Sequence, residues 1–143
     1  MSVAQLATVL DIEMLSSVGL APLPSYVPTS ALPEYTGEQV AMRTGYRYLL
    51  RYVRPHQIGD FLEGSNREHF VCPTPYAVED TVTFLTLPNP MLPPRHALLL
   101  DTAALGRIRG PRMVRLGLGV ELVLPAGFTR DAIVAPGWER ELR

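Results

Sequence analysis

The chain contains no lysine: all 13 of its basic residues are arginine. Arginine throughout fits a GC-rich coding bias, and it equally fits guanidinium forks matched to phosphate. A single cysteine, Cys72, excludes an internal disulfide and any cysteine cage around a metal. No apolar run is long enough to span a bilayer, and Met1 to Leu15 lacks the basic leading region of a secretory signal. Residues 1–40 lack any base, so Asp11, Glu13, Glu34 and Glu38 give them a charge of −4. Residues 41–143 hold all 13 bases against 10 acids, a balance of +3. That excess is too weak to argue for a dedicated nucleic-acid binder. The three histidines, His56, His69 and His96, are scattered and lack metal-ligand spacing.

What remains is a globular composition. The 143 residues are 47% hydrophobic and 19% charged, enough for one domain with a real core. Leu6, Val9, Leu10 and Met14 recur at helical spacing, predicting a helix over 2–18 that stops at Gly19. Pro22, Pro24, Pro28 and Pro33 then read as an extended linker. The chain therefore divides into an acidic leader, residues 1–40, and a body, residues 41–143. Alternatively, the leader packs on the body.

Within the body, Thr44–Val53, Glu68–Cys72, His96–Thr102 and Val120–Leu124 read as strands by β-branched and aromatic content. Ile133–Val134 and Trp138–Leu142 read as shorter ones. Residues 55–68 are polar and loop-like, and Tyr76–Leu87 is a helix candidate. One or two helices against five or six strands is an α+β pattern with a mostly antiparallel sheet.

Glu121 is the residue that stands out. Val120, Leu122 and Leu124 alternate onto one face of their strand, leaving Glu121 and Val123 on the other. Gly117 and Gly119 precede the acid and Pro125 stops the strand. Glu121 reads either as a catalytic carboxylate that stabilises a developing cation or acts as a base, or as an edge-strand glutamate facing water. Arg47, in an aromatic strand, reads as a phosphate clamp or as a solvated arginine beside Arg51. Thr74 in Pro73-Thr74-Pro75 sits where a strand turns into a helix and can cap that helix or bond a ligand; Tyr76 can stack on a planar ring. Arg107, Arg109, Arg112 and Arg115 form a basic run that faces phosphates, RNA or an acidic partner, or solvent.

The order of these pieces resembles an ADP-ribosyltransferase-type fold, as found in small toxin domains of bacterial polymorphic and secreted effectors. The resemblance spans about residues 44–135 and rests on Gly45-Tyr46-Arg47, on Thr74, and on Val120-Glu121-Leu122-Val123-Leu124-Pro125. It implies a split, mostly antiparallel β-sheet core and nicotinamide adenine dinucleotide (NAD) as substrate, without a metal. Arg47 matches the arginine that holds the NAD phosphates, Thr74 the one matching residue of the nicotinamide-pocket motif, and Glu121 the catalytic glutamate. Tyr76 and Tyr48 are aromatic rings available to stack on nicotinamide. Gly119 occupies the position where many of these transferases carry an acceptor-engaging Glu or Gln, which weakens transfer to protein arginine. The resemblance further implies a macromolecular acceptor (protein or RNA), a cognate immunity protein, no membrane, and action in the cytoplasm of a target cell after delivery.

Three alternatives stand beside it. One is an NAD glycohydrolase on the same fold. Another is a ribonuclease toxin using His56 or His69 with Arg109 or Arg112. The third is a non-enzymatic binding or immunity-type protein.

Overall fold

Strands in this chain are set by short apolar runs, and each of the strongest runs becomes a buried ladder. A computed structural model describes residues 3–73, 96–117, 119–134 and 140–141. Its order is α1 (Val3–Ser17), β1 (Glu34–Tyr35), α2 (Gly37–Thr44), β2 (Tyr48–Val53), α3 (Pro55–Phe61), β3 (Gly64–Ser65), β4 (His69–Val71), β5 (His96–Asp101), β6 (Ile108–Met113), β7 (Val120–Leu124), β8 (Phe128–Thr129) and β9 (Arg140–Glu141). The fold is α+β, with three helices among the described residues where one or two were expected. The helix expected over Tyr76–Leu87 lies outside them.

The main sheet runs β1-β6-β7-β4 and a second runs β2-β5-β9; every paired strand is antiparallel to its neighbour. A third pairing, β3 with β8, is short. The two larger sheets are stitched where β4 ends: Leu50 N–H donates to the Cys72 carbonyl at 2.9 Å and Cys72 N–H to the Leu50 carbonyl at 3.0 Å. Leu49, Val53, Val71, Leu98, Leu100, Ile108, Leu122 and Leu124 form the shared core. Each buried Leu or Val of that set contributes about 1.5–3 kcal/mol relative to exposure.

Three expectations change. The strand expected over Thr44–Val53 starts only at Tyr48, because α2 runs to Thr44 and Gly45 closes it in the left-handed region at φ 71°. A reciprocal capping box of Thr36 and Gln39 starts that helix. Residues 55–61, expected to be loop, are α3, started by Pro55 in the first turn where its missing N–H is not needed. The third is a strand absent from the expected set: Ile108–Met113, within the arginine run, is β6.

The proline-rich leader is extended, and it lies against the main sheet rather than running free. Leu23 N–H donates to the Pro111 carbonyl (3.0 Å), Met113 N–H to the Leu23 carbonyl (2.9 Å) and Gly110 N–H to the Pro33 carbonyl (3.0 Å), while β1 pairs directly with β6. Leu15 and Leu20 are fully buried against Val120, with Tyr46 packed beside them. The Tyr46 hydroxyl also donates to Asp11 on α1. Packing on the body is therefore the arrangement adopted.

Candidate functional site

Glu121 sits on an interior strand. β7 is flanked by β6 and β4, so the edge-strand reading is corrected: the Glu121 side chain is only 14% exposed. Val120, Leu122, Val123 and Leu124 are all fully buried, leaving Glu121 the one polar residue of the strand.

Directly across the ladder stands Arg112. The β6–β7 register shifts by one residue between Arg109 and Arg112. Without that bulge, residues three apart would face opposite sides of the sheet; with it, Arg109 opposite Val123 and Arg112 opposite Glu121 share one face. Arg112 donates from Nε (3.0 Å) and Nη2 (2.9 Å) to the same carboxylate oxygen, Glu121 Oε1. Its Nη1 donates to the Val27 carbonyl at 3.0 Å and to Thr29 Oγ1 at 3.4 Å. The guanidinium also lies 5.8 Å from the ring centre of Phe70, which is 47% exposed. Arg109 holds the Ser30 and Leu32 carbonyls, and both Arg107 and Arg109 pair with Glu34. Three arginines of the run thus bind the leader to the sheet; Arg115 is exposed.

Burial raises the Glu121 carboxyl above its ordinary value, and the nearby Glu68 adds to the rise; the hydrogen bond and charge of Arg112 offset only part of it. Glu121 Oε2 makes no hydrogen bond among the described residues. The site is thus a partly shielded carboxylate with one oxygen clamped and one open, beside an exposed aromatic ring.

The other sequence-selected residues divide. Thr74 and Tyr76 lie outside the described residues. Arg47 is exposed at the start of β2, its guanidinium 5.2 Å from the Tyr48 ring centre, and no bond or ion pair among the described residues joins it to Glu121. The strand order does bring β2, β4 and β7 side by side. Val71 pairs with Leu122, so one further step of that register sets Cys72 beside Glu121, and Cys72 pairs with Leu50. Paired residues share a face, so Leu50, and with it Tyr48, lies on the Glu121 face. At about 4.8 Å between strands, Leu50 stands roughly 10 Å from Glu121 across the sheet.

Sequence reasoning missed a second polar cluster on the opposite, core-facing side. Arg51 is half-buried at the centre of β2, donating from Nε to His69 Nδ1 at 3.3 Å and from Nη1 to the Tyr52 carbonyl. His69, 4% exposed, bonds Ser65 Oγ through Nε2 at 2.8 Å, and its ring packs 5.1 Å from the centres of both Phe61 and Phe128. Burial, then the charges of Arg51 and Arg67, lower the His69 imidazole to about 4. Burial likewise lowers Arg51 from its ordinary value. The available signal was Arg51 itself, an arginine among core residues at alternate positions. His69 and the arginines at 109 and 112 sit on opposite faces of the sheet, and His56 is exposed on α3.

Among the described residues no group of three or more His, Cys, Asp or Glu could hold a metal ion, and no helix is long and apolar enough to cross a membrane. Comparison with protein-family models, curated proteins and solved structures finds no match to this chain.

Proposed function

We propose that this chain binds NAD, cleaves its nicotinamide–ribose bond and transfers ADP-ribose to a macromolecular acceptor, with Glu121 as the catalytic carboxylate. One observation carries the reading: β7, which bears Glu121, neighbours β4, and β4 in turn neighbours β2. Arg47 immediately precedes β2, the chain after β4 runs on to Thr74, and Glu121 is the single polar group of β7.

The chemistry follows from charge. Breaking the nicotinamide–ribose bond leaves an oxocarbenium-like centre, which a carboxylate beside the ribose stabilises; Glu121 Oε2 is the atom free to do so. Arg112 holds the other oxygen and fixes the rotamer. Arg47, exposed at the same end of β2 as Tyr48, neutralises the pyrophosphate, and Tyr48 offers a ring for the nicotinamide. On this reading the acceptor is protein or RNA in the cytoplasm of a target cell, and a cognate immunity protein covers the site in the producing cell.

Hydrolysis of NAD by water is the second reading, favoured by Gly119, which offers no side chain to engage an acceptor. Incubating the protein with NAD, with and without cell extract, tests both. Nicotinamide release that needs the extract supports transfer, and release without it supports hydrolysis. No release in either case removes both and leaves a binding protein, for which the ion-paired state of Glu121 already speaks.

A further inference from the structure

The Arg51–His69–Ser65 chain ends at a cleft of about 620 Å³, bounded by residues 63–66, 104–107 and 126–130. That volume lies within the range of small-molecule sites. Its floor is the β3–β8 pairing, pressed so close that a Cβ on Gly127 would stand 1.9 Å from the Ser65 carbonyl oxygen. Gly127 also holds φ at 73°, so the approach is reserved for glycine.

Hydrogen-bond logic fixes what Ser65 can do there. Arginine only donates, so His69 Nδ1, which receives the Arg51 Nε–H, carries no proton. The neutral ring then has its proton on Nε2 and donates it to Ser65 Oγ. The Arg67 backbone N–H donates to the same oxygen at 3.3 Å. Both lone pairs of Ser65 are then taken. This arrangement excludes His69 as the base that would activate Ser65 as a nucleophile. The remaining capacity of Ser65, a residue of the cleft wall, is its own O–H, which has no acceptor among the described residues.

The charged residues of the cleft lining are two arginines, Arg107 and Arg130, and one acid, Glu63. Arg130 pairs with Glu63 at 3.3 Å and Arg107 with Glu34 at 2.9 Å, and both arginine side chains are more than half exposed. The single-contact, exposed Arg130–Glu63 pair contributes at most about 1 kcal/mol, so an anion can replace Glu63, while Arg107, held by Glu34 through both Nε and Nη2, brings its charge to the rim without giving up that pair. Asn66 adds an amide to the same wall.

We infer that this cleft is a second binding site, taking a small organic anion whose carboxylate or phosphate oxygen accepts from Ser65 Oγ and meets the guanidinium groups of Arg107 and Arg130. The site shares no residue with the surroundings of Glu121 and does not depend on the reading proposed for it.

Amide NMR titration of the whole chain with inorganic phosphate, and separately with acetate, tests the inference. Shifts concentrated on Ser65, Asn66, Gly106, Arg107 and 127–130 are expected, with Ser65→Ala weakening binding about tenfold by loss of a hydrogen bond to a charged group. Stronger response to phosphate assigns a phosphorylated ligand, and stronger response to acetate a carboxylic acid. Arg130→Gln, an exposed change that leaves packing intact, is expected to weaken binding as well, which keeps the test open if Ser65→Ala unfolds the chain. Shifts scattered over all surface arginines, or no shift, or binding unchanged in both variants, would overturn it.

Discussion

Two shielded arginines, Arg112 on β6 and Arg51 on β2, lie on opposite faces of their sheets and meet opposite partners. Arg112 reaches a carboxylate, Glu121, and two oxygens of the leader. Among the described residues Arg51 reaches only neutral acceptors, the His69 imidazole and the Tyr52 carbonyl. The first arrangement compensates charge with charge and ties three segments of chain together. The second gives a partly desolvated cation no acidic partner among the described residues and uses it to fix which nitrogen of His69 carries the proton. The difference separates an arginine that stabilises from one that orients.

The largest effect expected from breaking this contrast is on the Arg112 side. Arg112→Ala leaves Glu121 shielded and unpaired and frees the Val27 carbonyl, and should destabilise the fold by about 3–5 kcal/mol in urea unfolding. Glu121→Gln keeps a hydrogen-bond acceptor for Arg112 and should cost only about 1–2 kcal/mol. Equal losses from the two would mean that the ion pair is not what joins leader and sheet.

Next in size is the pH response. The folded state lowers His69 from 6.5 to about 4, so the unfolded chain binds more protons between those values. The contribution of His69 is fully present above pH 6.5 and is lost as the pH falls toward about 4. Glu121 has the opposite sign: its raised value means folding favours the protonated acid, so acidification relieves part of its burial. Unfolding at pH 7 and pH 5 should show lower stability at pH 5, and His69→Gln should flatten that slope.

The smallest expected change in stability follows Arg51→Met, within about 1 kcal/mol either way, because lost hydrogen bonds are offset by relief of desolvation. Its readout is the His69 ring. NMR titration should show the imidazole rising but staying below its ordinary value, since burial is the larger cause and remains. An unchanged His69 titration would remove Arg51 as the orienting group.

Alternation made β7 legible in the sequence, and the apolar run at 96–102 made β5 legible, because both signals are local. The face on which Glu121 lies followed from the same alternation. Its partner did not: Arg112 reaches Glu121 only through the one-residue shift after Arg109, a property of two paired strands. The leader was hidden for a related reason, since extended proline-rich chain has no periodicity and its bonds go to β6. The Arg51–His69–Ser65 chain joins three separate elements, β2, β4 and β3, so no sequence spacing announces it.

The most direct test of the proposed activity is nicotinamide release from NAD by the native chain and by Glu121→Gln, with cell extract present and both proteins shown to be folded. The expected result is measurable release by the native chain and a loss of about 100-fold or more in the variant, the size seen when a charge-stabilising group is removed from a transition state. Undiminished release by Glu121→Gln, or none from the folded native chain, would contradict Glu121 as the catalytic carboxylate.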